Sequence, residues 1–389
     1  MRLLLATYLA TITLLIALAL VGGVAMYRAM GPDDAAEAAA SDHEYNLLSW
    51  EIRHFPEKWL HKLQHAFDGA NGDDADQTIC AYFRPDGSER PAQIENDVED
   101  VIEGRVTAVL KDEGLALEPP LFNDLGLVFP PVDFELDATP RVLAVSPRER
   151  IELRDSYLLE SQIPAEEIEA IERQAESENE GERGVSALVI RTGGFSSYPS
   201  VVFEDASYES LVETVFHEWL HSYLIFFPLG TSYFQSSEAR TLNESVANIA
   251  GAELARRYFE RHDTLEATCG AAPATPAPTP SPAAPAFDFT AEMRALRRRV
   301  EAMLAEGHVV DAEALMAAKR DEFEAKGVFI RKLNQAYFAF HGFYADTAGS
   351  IDPIGPKLQT LLERAGSAGA FVRVASAITS RAELEEALE

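Results

Sequence analysis

Apolar and polar positions follow two periods along this chain, and the changes of period divide it. Residues 3–26, LLLATYLATITLLIALALVGGVAM, carry no charge. At 1.5 Å rise per residue they cross a ~30 Å hydrocarbon layer with some tilt. Arg2 precedes the run, while Arg28, Asp33, Asp34 and Glu37 follow it. This predicts a transmembrane anchor over 1–30 with the rest of the chain outside the cytoplasm, that is, a single-pass membrane protein; a cleaved signal peptide is the competing reading. Residues 31–42 are small and acidic and read as a tether. Apolar positions then recur at helical spacing over 45–67, where Pro56 opens a second helix, and again over 93–113. The period shortens in PPVDFELD, RVLAVSP and ERIELRDSYLL, which read as strands. Residues 164–177 form a charged helix, and SALVIRTGG and YPSVVFED read as strands around a Gly-Gly turn. From Glu209 the text is mostly helical. The Pro/Ala run at 270–286 cannot pack a core and is expected as an extended insertion inside one domain. The pattern predicts an α+β fold over 43–389, with a small, mostly antiparallel sheet and a helical part.

Composition narrows the partners. With 64 Asp and Glu against 33 Lys and Arg, the formal charge of −31 repels phosphate backbones and excludes nucleic acid. Hydrophobic residues at 47% support a sizeable core. Cys80 and Cys269 either pair or stay as two buried thiols, and the absence of a CxxC spacing rules out a thiolate zinc site.

The chemistry concentrates at 217–221, His-Glu-Trp-Leu-His, inside SLVETVFHEWLHSYLIFF, which lacks Gly and Pro. On a helix His217 and His221 lie one turn apart, so both imidazoles reach one ion. Glu218 stands beside them, placed to hold a water without ligating the metal. Zinc lowers the pKa of its water toward ~7, and such a carboxylate removes and shuttles the proton. Polar groups on an otherwise apolar, core-type helix are costly without partners. A third ligand follows. Phe227, Pro228 and Gly230 break the helix, and a second one is expected from near Thr241, with Glu244 in its first turn. Two histidines and one glutamate leave a position open, as catalytic zinc requires. Asn243 and Asn248 flank Glu244 and are the candidates for orienting the ligands. His61 and His65 also stand four apart, without a third ligand nearby, and read as a solvated face.

HEWLH at 217–221 with NESVA at 243–247 resembles the gluzincin-type zinc metallopeptidases, the thermolysin-like and aminopeptidase-like group. The part after the anchor is also similar to bacterial aminopeptidases. The resemblance implies a zincin-like metallopeptidase domain, a Zn2+ cofactor, a peptide or protein substrate and hydrolysis of a peptide bond. It departs from the family at Asn248, where thermolysin-like members carry an Asp that orients a zinc histidine. Asn can accept from an imidazole N–H but adds no charge.

Such enzymes hold the substrate extended along a sheet edge. That assigns 193–199 to substrate binding, with Gly193, Gly194 and Tyr198 as candidate contacts. Farther on, Asn334, Tyr337, His341 and Tyr344 recur at intervals of three, four and three in 327–345 and would share one helical face. Tyr337 or His341 is the candidate oxyanion donor, with Asn334 and Tyr344 as substrate contacts. Two other functions stand beside the hydrolase: a membrane-tethered, non-catalytic binding or scaffold protein with a structural zinc site, and a zinc hydrolase of non-peptide amides or esters. Glu218, which is not a ligand, favours catalysis.

Overall fold

The computed structural model describes residues 35–47, 49–50, 72–84, 90–115, 128–181, 183–270 and 287–389. Helices α1 (Ala35–Ser41) and α2 (Gly72–Phe83) lead into α3 (Glu95–Asp112) and three strands, β1 (Phe134–Asp137), β2 (Arg141–Pro147) and β3 (Asp155–Leu159). Helix α4 (Ala165–Ala175) precedes β4 (Val185–Arg191), β5 (Gly194–Phe195) and β6 (Ser200–Phe203). The helical part comprises α5 (Tyr208–Leu224), α6 (Pro228–Thr231), α7 (Ser237–His262) and α8 (Leu265–Cys269). Beyond the Pro/Ala run come α9 (Phe289–Ala305), α10 (Val309–Ala325), α11 (Gln335–His341), α12 (Ile354–Ala365), α13 (Ala368–Ala375) and α14 (Arg381–Ala387).

Each strand predicted from alternation contains a strand, but they form two three-stranded sheets rather than one. One is antiparallel in the order β3-β2-β4. The other runs β1-β6-β5, with β1 parallel to β6 and β5 antiparallel to it. The two edges of the second sheet differ. Along β1, buried Glu99 and Glu103 of α3 accept from Leu136 N (2.7 Å) and Phe134 N (3.2 Å), so side chains take up the edge donors. On the other side β5 is the last strand, and among the described residues no strand covers it.

Helices α5 and α7 form the centre of the largest core. Ser207 caps α5, accepting from Ser210 N, and Ser236 caps α7, accepting from Ala239 N. The pair is antiparallel: the Tyr208 and Tyr258 hydroxyls meet at 2.8 Å at one end, and His221 meets Asn243 at the other. Between these ends Gly251 backs onto α5, where a Cβ would stand 3.3 Å from His217 N; a branched side chain there would force the helices apart. Leu211, Val215, Phe216, Leu220, Val246, Ala250 and Leu254 are buried in the same cluster, the larger ones stabilising it by about 1.5–3 kcal/mol each. Trp219 Nε1 donates to Pro130 O at 2.9 Å and fastens α5 to the segment leading into β1.

Several expectations need correction. No helix among the described residues is long and apolar enough to cross a membrane. The longest, α7, has 26 residues but carries Glu238, Arg240, Glu244, Glu253, Arg256, Arg257, Glu260 and Arg261. Residues 1–30 lie outside the described residues; what these show is mixed helix and small sheets with no helix able to span a membrane, so neither the anchor nor the single-pass localisation is supported. The tether is also corrected. Ala35–Ser41 is helical because Ala36, Ala39 and Ala40, at helical spacing, bury in one cluster with Ile168 and Ile171 of α4. Likewise α7 starts at Ser237, so Glu244 lies two turns in rather than in the first turn. The helix expected over 327–345 is only Gln335–His341. Cys80 and Cys269 pair in a disulfide with Cα atoms 5.5 Å apart. His61, His65 and residues 271–286 lie outside the described residues.

Candidate metal centre

Helix α5 presents His217 and His221 one turn apart, and antiparallel packing sets Glu244 of α7 against both. Their Nε2 atoms stand 3.0 Å from each other, and Glu244 Oε2 lies 3.7 Å from His217 Nε2 and 3.4 Å from His221 Nε2. Ligand atoms held tetrahedrally about 2.1 Å from an ion stand about 3.4 Å apart. Glu244 Oε2 is buried and has no hydrogen-bond partner in the protein, which a ligand oxygen awaiting a cation requires. These three residues form a group that can hold a metal ion.

The electrostatics agree. Burial works to raise the Glu244 carboxyl, but the two imidazoles overcome it and hold it well below the usual carboxylate range. Burial would lower His221, yet the Glu244 carboxylate pushes it up to about 9. The cluster therefore favours positive charge at its centre. Behind the ligands, Asn243 Oδ1 stands 2.8 Å from His221 Nδ1, the supporting contact expected of Asn243. Tyr233 donates to Glu244 Oε1, and Arg240 Nε donates to Tyr233 Oη at 3.1 Å.

Glu218 sits beside the ligands and is buried. Burial raises its carboxyl above the usual range, Glu244 adds to this, and the two histidines oppose it. Strand β5 lies directly against it: a Cβ on Gly194 would stand 2.5 Å from Glu218 Oε1 and 2.7 Å from Thr214 Cγ2. Ser196 Oγ donates to Glu218 O at 3.2 Å, holding the residues after β5 on the metal helix. The last strand of the sheet and the carboxylate thus lie against each other. Gly193 is exposed next to β5, but Tyr198 is turned into the protein: it is 2% exposed, and its hydroxyl donates to Pro131 O at 3.0 Å.

The polar stripe separates in the same way. Asn334 is buried as the cap of α11; its Oδ1 accepts from Tyr337 N (3.0 Å) and its Nδ2 donates to Ala187 O (3.0 Å). Tyr337 and His341 pack on each other with ring centroids 4.3 Å apart, Tyr337 lying against Ala144 and Leu188 of the β3-β2-β4 sheet. Burial alone raises Tyr337 and lowers His341 to about 4. Tyr344, beyond the helix, is the residue that reaches the centre. Its ring lies 6.2 Å from that of His217, and burial together with the charges of Glu244 and Glu218 raises its phenol. Of the expected stripe, then, it is Tyr344, three residues past the end of the helix, that stands beside His217, while Tyr337 and His341 lie against each other. Asn248 is corrected too: its Nδ2 donates to Asp346 Oδ2 at 2.7 Å rather than its oxygen accepting from an imidazole.

Sequence reasoning missed Tyr233, Arg240 and Asp346. The first lies between α6 and α7 and the last after α11, where no periodicity marks a side chain. A surface recess lined by Arg150, Arg154, Arg183 and Val309 shares no residue with the metal cluster and gathers no ligand set. No protein-family model, no curated protein and no solved structure matches this chain.

Proposed function

We propose that this chain is a zinc-dependent peptide hydrolase of the gluzincin type, with Glu218 as the general base. The observation that carries this reading is a buried carboxylate outside the ligand group, held between three convergent ligand residues and the last strand of a sheet. A structural metal site has no use for Glu218 at that position, whereas hydrolysis needs a base there.

His217, His221 and Glu244 would hold the ion. Bound zinc would polarise the scissile carbonyl and lower the pKa of water. The extended substrate pairs with the free edge of β5, as an added strand does, which brings its carbonyl toward Glu218. Glu218 takes a proton from the attacking water and returns it to the leaving amine. The Tyr344 hydroxyl donates to the carbonyl oxygen as negative charge develops on it.

The test uses the purified full chain, with zinc measured by elemental analysis and cleavage by a mixed peptide library with free and blocked amino termini. The expected result is one zinc per wild-type chain, lost in Glu244→Ala, and kept without cleavage in Glu218→Gln. Cleavage confined to free amino termini would mark an aminopeptidase. A folded wild-type chain without zinc would overturn the proposal. Zinc bound without hydrolysis of any peptide would leave a binding protein or a hydrolase of other amides or esters.

A further inference from the structure

One carboxylate beside the centre has half of its hydrogen bonding unmade. Asp346 lies in the turns after α11; its Oδ2 accepts from Asn248, while its Oδ1 is buried without a partner. His217 has the complementary gap. Its Nε2 faces His221 Nε2 and Glu244, so its Nδ1 must carry the hydrogen when Nε2 serves as a ligand. His221 has its support in Asn243, but no such contact is made at His217 Nδ1 among the described residues.

We infer that Asp346 is the positioning residue for His217, its Oδ1 accepting the His217 Nδ1–H while Asn248 fixes its other oxygen. This rests on the reading of His217 as a metal ligand.

Three observations bring the two groups together. First, Glu244 meets His217, Gly251 backs onto His217 N, and Asn248 lies between them on the same face of α7. Second, the segment carrying Asp346 is pinned at this level: Ser245 Oγ donates to Phe343 O (3.1 Å) and accepts from Ala345 N (2.9 Å), placing the Tyr344 ring beside His217. Third, Arg294 Nη2 donates to Asp346 O (3.3 Å) and Thr347 O (3.1 Å), holding the backbone from the far side. His217 also counts among the groups that act electrostatically on Asp346.

The arrangement gives Asn248 a physical role. A carboxylate there would repel Asp346, whereas the amide donates to it. The negative charge behind the histidine is supplied by a segment 98 residues farther along the chain.

The test is zinc affinity of the full chain by chelator competition, read beside the melting of the same proteins in EDTA. Asp346→Asn is expected to weaken zinc binding about 10–100-fold with its EDTA melting unchanged. The exchange Asn248→Asp with Asp346→Asn keeps one amide and one carboxylate at the pair. It is expected to recover most of the affinity, and it guards against a single variant that fails to fold. Asp346→Asn binding zinc as tightly as wild type would overturn the inference, as would an exchange variant that folds but binds no better than Asp346→Asn. A wild-type chain that binds no zinc would overturn the metal reading itself.

Discussion

Helices α5 and α7 hold His217, Glu218, His221 and Glu244 through regular backbone and a continuous apolar interface, whereas the wall facing them, residues 342–350, is a run of turns fixed by single polar contacts. Arg297 of α9 donates to Phe338 O (3.1 Å) and Gly349 O (2.6 Å), Arg294 reaches Asp346 O, and Ser245 and Asn248 of α7 fasten the near side. Ligands need fixed mutual spacing, and two capped helices in close contact provide it. A donor that must meet a charge developing during reaction can come from a loop, provided its backbone is anchored. Those anchors come from both sides of the Pro/Ala run, so the wall depends on chain segments far apart in sequence.

The sharpest way to break this comparison is at the tyrosines. Tyr344→Phe removes the phenol hydroxyl of the ring beside His217. It is expected to lower kcat about 10²–10³-fold with zinc content and KM nearly held, as loss of an oxyanion donor does. Tyr337→Phe, packed on the other sheet, should leave kcat within a few-fold. Steady-state kinetics on one cleaved peptide reads both. The reverse outcome would move the catalytic wall from the turns back onto α11.

The same contrast governs what could be read from the sequence. HEWLH spacing is local and placed three groups correctly on one helix, and NESVA supplied Glu244 and Asn243 although the start of α7 was misplaced by four residues. The strands were legible from alternation, but their division into two sheets was not: β1 pairs in parallel with β6, far along the chain, and no local pattern encodes that choice. Asn334, Tyr337, His341 and Tyr344 keep helical spacing, yet Gly342 carries the chain out of α11, and Arg297 occupies the space a side chain there would need. Asp346 and Tyr233 gave no signal because their contacts are tertiary. Residues 31–42 read as a tether from composition, while Ala36, Ala39 and Ala40 already stood at the spacing of a buried helical face.

The edge strand offers the next test, because Gly194 belongs to neither the helices nor the turns. A Cβ at 194 collides with Glu218 and Thr214, whereas a Cβ at Gly193 meets nothing within 4 Å. Gly194→Ala should therefore displace Glu218 and lower kcat by about 10² with zinc retained, since misplacing a catalytic group by about 1 Å costs that much. Gly193→Ala should behave as wild type. Equal kinetics in the two variants would mean that the strand edge does not set the position of the base.

The smallest effect on the centre is expected at the disulfide, which joins α2 to α8 and involves neither the helix pair nor the turns. Cys80 of α2 is joined to Cys269 of α8, and Arg105 of α3 holds Asp76 of α2 at 2.6 Å. Ile79, Tyr82 and Phe83 of α2 bury in the same core as the metal helices. Cys80→Ser with Cys269→Ser should thus lower unfolding free energy by about 2–4 kcal/mol, read from the urea midpoint. Zinc content and kcat should stay within about two-fold, because His217, His221 and Glu244 all sit on α5 and α7, which meet directly at Gly251. A loss of zinc that tracks the loss of the disulfide would instead make α2 part of the frame of the centre, and the rigid unit would extend beyond the two helices.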